Sequence, residues 1–331
     1  MEESTHNYVY FGMYPQSLKE DRVTISTNEK DIIYCGFHTS ARQGENKIET
    51  YQLPTKYYLG SDGAYYEKIK SYTYLNAKKF SNDTYILPEK EYYFRVEPIK
   101  WRVLEIDKNT NSTLLMCDSI IDAHAFDNTR IYPEFIQYKY EKGSYYDEKD
   151  GGYNNYAHSS IRKFLNNEFI TRAFTEYERS LIVTSPVYNS YVKNKFACED
   201  TEDKVFLLSK DELTNPKFGF VNNECPPDVN KQLVPTDFSR AMRVYTNDNR
   251  LYSKSDLYRD NGIWWTRTPH KLDEKATDKA SANIPFVNLV NYNGAITYYF
   301  STQQKYGVVP AIRVSLKELN NYLDKRKKWF I

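Results

Sequence analysis

Five histidines, His6, His38, His124, His158 and His270, are the side chains best suited to proton transfer or metal ligation near neutral pH, and they are scattered along the chain. There is no H-E-x-x-H pair to hold zinc on one helix face, no G-x-S-x-G elbow to present a nucleophilic serine, and no P-loop to cradle a phosphate. The densest run of metal-ligand types is Asp118, Asp122 and Asp127 with His124. Oxygen-rich loops can hold calcium, but this spacing fits no EF-hand, and a solvated loop after a strand is the simpler reading. The acidic run Glu199-Asp200-Thr201-Glu202-Asp203 reads the same way, as a solvated approach to a buried strand. No catalytic residue, metal or cofactor is therefore expected, although a triad assembled from distant positions, as in a hydrolase without a local signature, stays open.

Contact chemistry is better represented than reaction chemistry. Trp264 and Trp265 adjoin Arg267 and His270, a grouping able to stack a sugar or clasp an anion. Successive strand residues face opposite sides, so one tryptophan is assigned to the core and Trp265 is kept as a surface candidate. Arg267 and Arg313 read as structural partners of acidic residues between strands. Around the Asn293-Gly294 turn, Asn291, Tyr292, Tyr298, Tyr299, Gln303, Gln304 and Tyr306 combine rigid aromatic rings with amide hydrogen bonding. Tyrosine gives a large apolar ring with a polar tip at little cost in ordering, which suits recognition surfaces. With Trp265 and His270 these residues form the candidate ligand-binding set. The 32 tyrosines, against 17 phenylalanines, are equally what a genome poor in G and C would encode. The basic, aromatic end Lys325-Arg326-Lys327-Lys328-Trp329-Phe330 reads as solvated.

A net charge of +1, from 45 Lys or Arg against 44 Asp or Glu, provides no field to draw the chain to nucleic acid or an anionic membrane. No stretch approaches the ~20 apolar residues of a membrane span. The start, MEESTHNYVYFG, lacks the basic and apolar regions of a signal peptide, which points to the cytoplasm and leaves a cell surface or phage particle open. Cys35, Cys117, Cys198 and Cys225 form no C-x-x-C pair and read as free thiols.

The elements that must position these side chains are mostly strands. Tyr8-Val9-Tyr10-Phe11 is stopped by Gly12 and Pro15; a polar, hairpin-bearing insertion occupies about residues 21–90. A meander follows over Tyr92–Val96, Ile99–Ile106 and Thr113–Cys117, with a slip in alternation at Leu104. Asp122 to Tyr156 reads as a long loop. Ile161, Phe164, Leu165, Glu168 and Phe169 recur at helical spacing, and Thr175-x-x-Glu178 is a capping box that opens a second helix. Ser209-x-x-Glu212 repeats that pattern, and Thr236 with Asp237 caps a further helix. Strands are expected over Gly262–Arg267, Phe286–Val290, Ala295–Phe300 and Val308–Val314, with Asn293-Gly294 supplying a type I′ hairpin turn. Ser315-x-x-Glu318 opens a basic amphipathic helix or tail over 317–331. Without a repeat or linker, residues 1–316 are expected to form a single elaborated α+β domain.

Seven blocks carry a resemblance in order: Tyr10-Phe11-Gly12-x-Tyr14-Pro15-Gln16-Ser17, Pro98–Leu104, Ser160–Asn166, Ala173–Thr175, Thr201–Ser209, Trp264–Pro269 and Gly307–Val314. Together they are similar to the bacterial domain-of-unknown-function family 6273, over roughly residues 8 to 316. The Trp264-Trp265 block, the hairpin at Asn293-Gly294 and the Gly307-x-x-Pro310-Ala311-x-Arg313 strand also resemble, more loosely, the closing part of C-type-lectin-like and formylglycine-generating-enzyme-like folds. That likeness implies a C-type-lectin-like core of short antiparallel strands with two or more helices and long inserted loops, the ligand surface lying near the last hairpin. The late cysteine pair that holds copper in the formylglycine-generating enzymes has no counterpart after Cys225, so their activity does not carry over. The expectation is a non-catalytic recognition module for a protein or glycan ligand. An effector or inhibitor from a mobile element, acting by protein contact, is the alternative, and a hydrolase is the second.

Overall fold

The computed structural model describes residues 7–43, 48–73, 78–127, 154–189, 199–225, 227–247, 258–270, 286–300 and 305–327. The elements in chain order begin with β1 (Tyr8–Leu18), β2 (Ile32–Gln43), β3 (Ile48–Leu59), β4 (Tyr65–Lys70), β5 (Glu91–Asp107), β6 (Ser112–Cys117) and β7 (Asp122–His124). A continuous helical run over 160–173, here α1, joins α-helix Ser160–Lys163, π-helix Phe164–Phe169 and α-helix Ile170–Ala173. Next come α2 (Glu176–Leu181), β8 (Ile182–Val183), β9 (Ser185–Val187), β10 (Thr201–Asp203), β11 (Val205–Leu207) and α3 (Asp237–Ala241). The chain closes with β12 (Trp264–Pro269), β13 (Phe286–Val290), β14 (Ile296–Phe300), β15 (Tyr306–Val308), β16 (Pro310–Ser315) and α4 (Leu316–Lys327).

Among the described residues these strands form a nine-stranded sheet, β11-β16-β6-β5-β4-β3-β2, with β1 pairing β5 and β8 pairing β16, a five-stranded sheet, β14-β13-β12-β15-β7, and a two-stranded sheet, β10-β9. With the helices this is a mixed α+β fold. Strand β5 organises the large sheet: β4 pairs with its first residues, β1 with its middle and β6 with its last. The two segments expected at 92–96 and 99–106 are thus one strand. Pro98, which cannot donate, sits opposite Met13 where β1 is irregular, so the ladder tolerates it. Likewise β1 does not stop at Gly12 and Pro15 but runs through both with shifts of register. The slip seen at Leu104 is a bulge between Val103 and Glu105.

Helix α1 buries Ile161, Phe164, Leu165 and Phe169, the residues at helical spacing, in the main core. Both sides of the Thr175 and Glu178 capping box are made, and Thr236 caps α3 by accepting from the Ser239 amide. Between Ser209 and Glu212 the reciprocal bonds are 2.7 and 3.1 Å. Helix α4 is docked rather than free, through buried Leu319 and Tyr322, whose hydroxyl donates to Glu178 at 2.6 Å. The smaller sheet meets the larger one at β7, where Tyr14 of β1 donates to the buried carboxylate of Asp122 at 2.6 Å. No helix among the described residues is long and apolar enough to cross a membrane.

Candidate functional site

Strand β12 runs through the middle of the smaller sheet, between β13 and β15, and this placement decides the fate of its side chains. Trp264 and Trp265 are both 0% exposed. Each satisfies its indole N–H on a backbone carbonyl: Trp264 on Lys231 at 3.2 Å and Trp265 on His124 at 2.9 Å. Trp265 therefore does not reach a ligand: the rings of Phe126 and Tyr306 pack edge-on against it, at 5.7 and 5.0 Å between centroids. Arg267 is structural as expected, with Nη1 donating to the Leu207 carbonyl at 2.8 Å and Nη2 to Glu212 at 3.2 Å. Arg313 pairs with Glu105 at 2.8 Å.

At the sheet's edge the situation reverses. Among the described residues β14 pairs with β13 alone, in the register Asn288 to Tyr298 and Val287 to Tyr299. Alternation sends Tyr298 and Tyr299 to opposite faces, and they are 42% and 37% exposed. Tyr298 stacks on His270 with ring centroids 3.6 Å apart and planes 14° apart. On the other face Tyr299 meets Tyr306 edge-on at 5.6 Å, and Tyr306 in turn meets Trp265 at 5.0 Å. Tyr306 is only 4% exposed, so it braces Tyr299 from beneath instead of offering a surface of its own.

His270 follows the last residue of β12 and is tied by its amide to the Phe286 carbonyl. The Asn288 amide nitrogen faces the carbonyls of Thr268 and Pro269, which turns its oxygen toward His270 Nδ1 at 3.1 Å. That network assigns the proton to Nδ1 and leaves Nε2 as an acceptor. Burial lowers the imidazole below its usual range, Lys210 adds to the effect, and the Asn288 bond opposes it. The ring beneath Tyr298 is thus neutral at pH 7.

Asn291 and Tyr292 occupy the far end of the hairpin. The Asn291 amide donates to Ala295 and the Gly294 amide to Asn291. Gly294 has φ +81°, and Asn293 is not among the residues with positive φ, so this is not the type I′ turn that Asn293-Gly294 suggests. The Asn293 side chain instead accepts from the Ala295 amide at 3.0 Å, and only the glycine takes the left-handed conformation. Both Asn291 and Tyr292 are half-buried: Tyr292 receives Asn261 on its carbonyl at 3.0 Å and packs near Tyr258. They support the turn, apart from the Tyr298 pair. Gln303 and Gln304 lie outside the described residues.

The other expected clusters disperse. Asp118 holds Arg102 and Lys100, Asp122 is buried under Tyr14 beside His124, and Asp127 accepts from the Ser160 amide. Burial pushes the Asp122 carboxyl up, but His124, Arg172 and Tyr14 outweigh it and hold the group below the usual carboxylate range. No group of three metal-ligating side chains assembles among the described residues. The acidic run is not simply solvated: Asp203 is buried and gripped by Arg162 and Thr201. Missed altogether was a buried ion pair, Arg172 with both oxygens of Glu67 at 2.8 Å, extended to Glu168 at 3.2 Å. Arginine on a helix and glutamate 105 positions away on β4 carry no local signature.

Residues 110–316 match the domain of unknown function DUF6273. The chain belongs to that family. The match takes in α1, the Trp264–Pro269 strand, the last hairpin and β16, whereas the blocks at Tyr10–Ser17 and Pro98–Leu104 precede it. No curated protein and no solved structure matches the chain.

Proposed function

We propose that this chain is a non-catalytic recognition module whose ligand docks on the β14 edge of the five-stranded sheet. The observation that carries the reading is the exposed pair Tyr298 and Tyr299 on an edge strand, with Tyr298 stacked on His270 and Tyr299 braced by Tyr306. Aromatic rings held by neighbours lose little freedom on contact, and an edge strand offers backbone groups that an incoming strand can pair. This favours a polypeptide partner adding to the edge, its side chains lying over Tyr298 and His270. A glycan stacked on the same rings is the competing ligand. In this reading residues 1–316 work as one unit, and the β12–β15 region is a C-type-lectin-like core. The Trp264-Trp265 strand, the hairpin after it and the closing strands are what support that comparison.

The test is a selection of displayed random dodecapeptides against the full chain, counter-selected on the Tyr298→Ala/Tyr299→Ala variant, beside a glycan array probed with both proteins. Peptides that bind only the wild type are expected. Glycans lost on the variant would replace the peptide reading, and ligands bound equally by both proteins would remove this surface from consideration.

A further inference from the structure

The hairpin's own hydrogen bonds decide which backbone groups of β14 face outward. The Asn291 amide donates to the Ala295 carbonyl, so Asn291 faces its partner strand, and Leu289 opposite Thr297 and Val287 opposite Tyr299 share that parity. In an antiparallel ladder, pairs that exchange bonds alternate with pairs whose N–H and C=O point away. Ile296, Tyr298 and Phe300 therefore present theirs to the outer edge. The Ile296 amide behaves accordingly: it donates away from β13, to the Glu224 carbonyl at 2.8 Å.

That bond closes one end of the edge. Glu224 occupies the place that a residue opposite Ile296 would take in an added strand, and its segment is fixed. The Glu224 carboxylate pairs with Lys210 at 3.0 Å, and the Asn223 side chain accepts from the Cys225 amide at 3.0 Å. At Tyr298, by contrast, neither backbone group has a partner among the described residues. A second copy of this chain, paired antiparallel about Tyr298, would bring its own Phe300 opposite Ile296, where Glu224 already lies. The edge is thus barred from zipping onto itself in that register, as native sheets guard exposed edges with such interruptions. What the guard leaves open is a short stretch, Tyr298 and Phe300, with the Tyr298 and His270 stack on one face and Tyr299 on the other.

We propose that the partner is an extended peptide segment that adds to β14 in one register, bonding both backbone groups of Tyr298 and ending or turning away before Ile296. This rests on the β14 edge being the contact surface and goes further, to the strand that covers it and where that strand stops. The residue opposite Tyr298 then lies beside the His270 stack and its neighbours lie beside Tyr299, because a strand alternates. The probe is the selected dodecapeptide that discriminates best between the wild type and Tyr298→Ala/Tyr299→Ala. Amide hydrogen exchange of the full chain, read by NMR with and without saturating peptide, reports on β14 residue by residue. Without peptide, the Ile296, Thr297 and Tyr299 amides should be protected and that of Tyr298 should exchange fastest of the four. Saturation should slow Tyr298 about tenfold or more, and by a larger factor than Thr297 or Tyr299. Replacing the peptide's amides by esters one at a time then deletes a single N–H in each variant. Affinity should fall about two- to tenfold at alternate positions, the worth of one hydrogen bond, and by less than about twofold at the position between them. Unchanged exchange at Tyr298 in the peptide complex, or ester losses at adjacent positions, would overturn the register while leaving the surface in place. Peptides that bind both proteins equally would remove the surface and this register with it.

Discussion

Gly294→Ala should loosen the hairpin that carries Tyr298 and Tyr299, and the size of the effect follows from two separable causes. Gly294 has φ +81°, a conformation that costs an L-residue about 1–2 kcal/mol. An added Cβ would also clash with the Asp228 carbonyl oxygen and lie 2.9 Å from its carbon, both backbone atoms. Relief requires Asp228 to withdraw with the residues around it, which threatens the bonds Ile296 N to Glu224 O at 2.8 Å and Gln232 Nε2 to Asn293 O at 3.2 Å. At about 0.5–1.5 kcal/mol each, their loss adds roughly 1–3 kcal/mol, for a total of about 2–5 kcal/mol. Gly63 supplies the control: its φ is +78°, yet nothing lies within 4 Å of an added Cβ, so Gly63→Ala should show the backbone cost alone. Urea unfolding followed by tryptophan fluorescence measures both. Equal destabilisation of the two variants would refute the close-approach argument, because it would mean that contact with Asp228 contributes nothing.

Glu67→Leu should destabilise the fold by about 3 kcal/mol in the same assay, since it leaves the buried Arg172 charge with Glu168 alone and two guanidinium bonds unmade, whereas Glu67→Leu with Arg172→Met should recover most of that loss. A double variant no better than the single would contradict the assignment. The pH dependence has a definite sign. Because the folded-state pKa of His270 is lowered, the unfolded chain binds more protons once pH drops below about 6.5, so this contribution to stability is complete above that pH and is lost as pH falls toward the folded value. His38 shifts in the same direction, so the diagnostic is a smaller loss between pH 7.5 and 5 in His270→Gln than in the wild type.

Much of the scaffold was legible because local rules and tertiary packing agree. The spacing of Ile161, Leu165 and Phe169 marks a helix, and Thr175 with Glu178, Ser209 with Glu212 and Thr236 mark starts that the backbone uses. Pairing partners were not legible. Nothing near Trp265 in sequence says that β15 will run parallel to β12 and bury it, and nothing near Gly12 or Pro98 says that β1 and β5 will lie against each other with matched irregularities. The exposed aromatic pair was approached through composition: Tyr298 meets His270 and, on the other face, Tyr299 meets Tyr306, while Tyr306 and Trp265 pack edge-on against each other in the core.

The central claim, that the β14 edge is the contact surface, is tested most directly by the dissociation constant of a selected peptide for the wild type and for Tyr298→Ala/Tyr299→Ala. Two exposed aromatic anchors at the centre of an interface predict a loss of tenfold or more, about 1.4 kcal/mol at the least, with the thermal midpoint little changed. A folded variant that binds within twofold of the wild type would contradict the account.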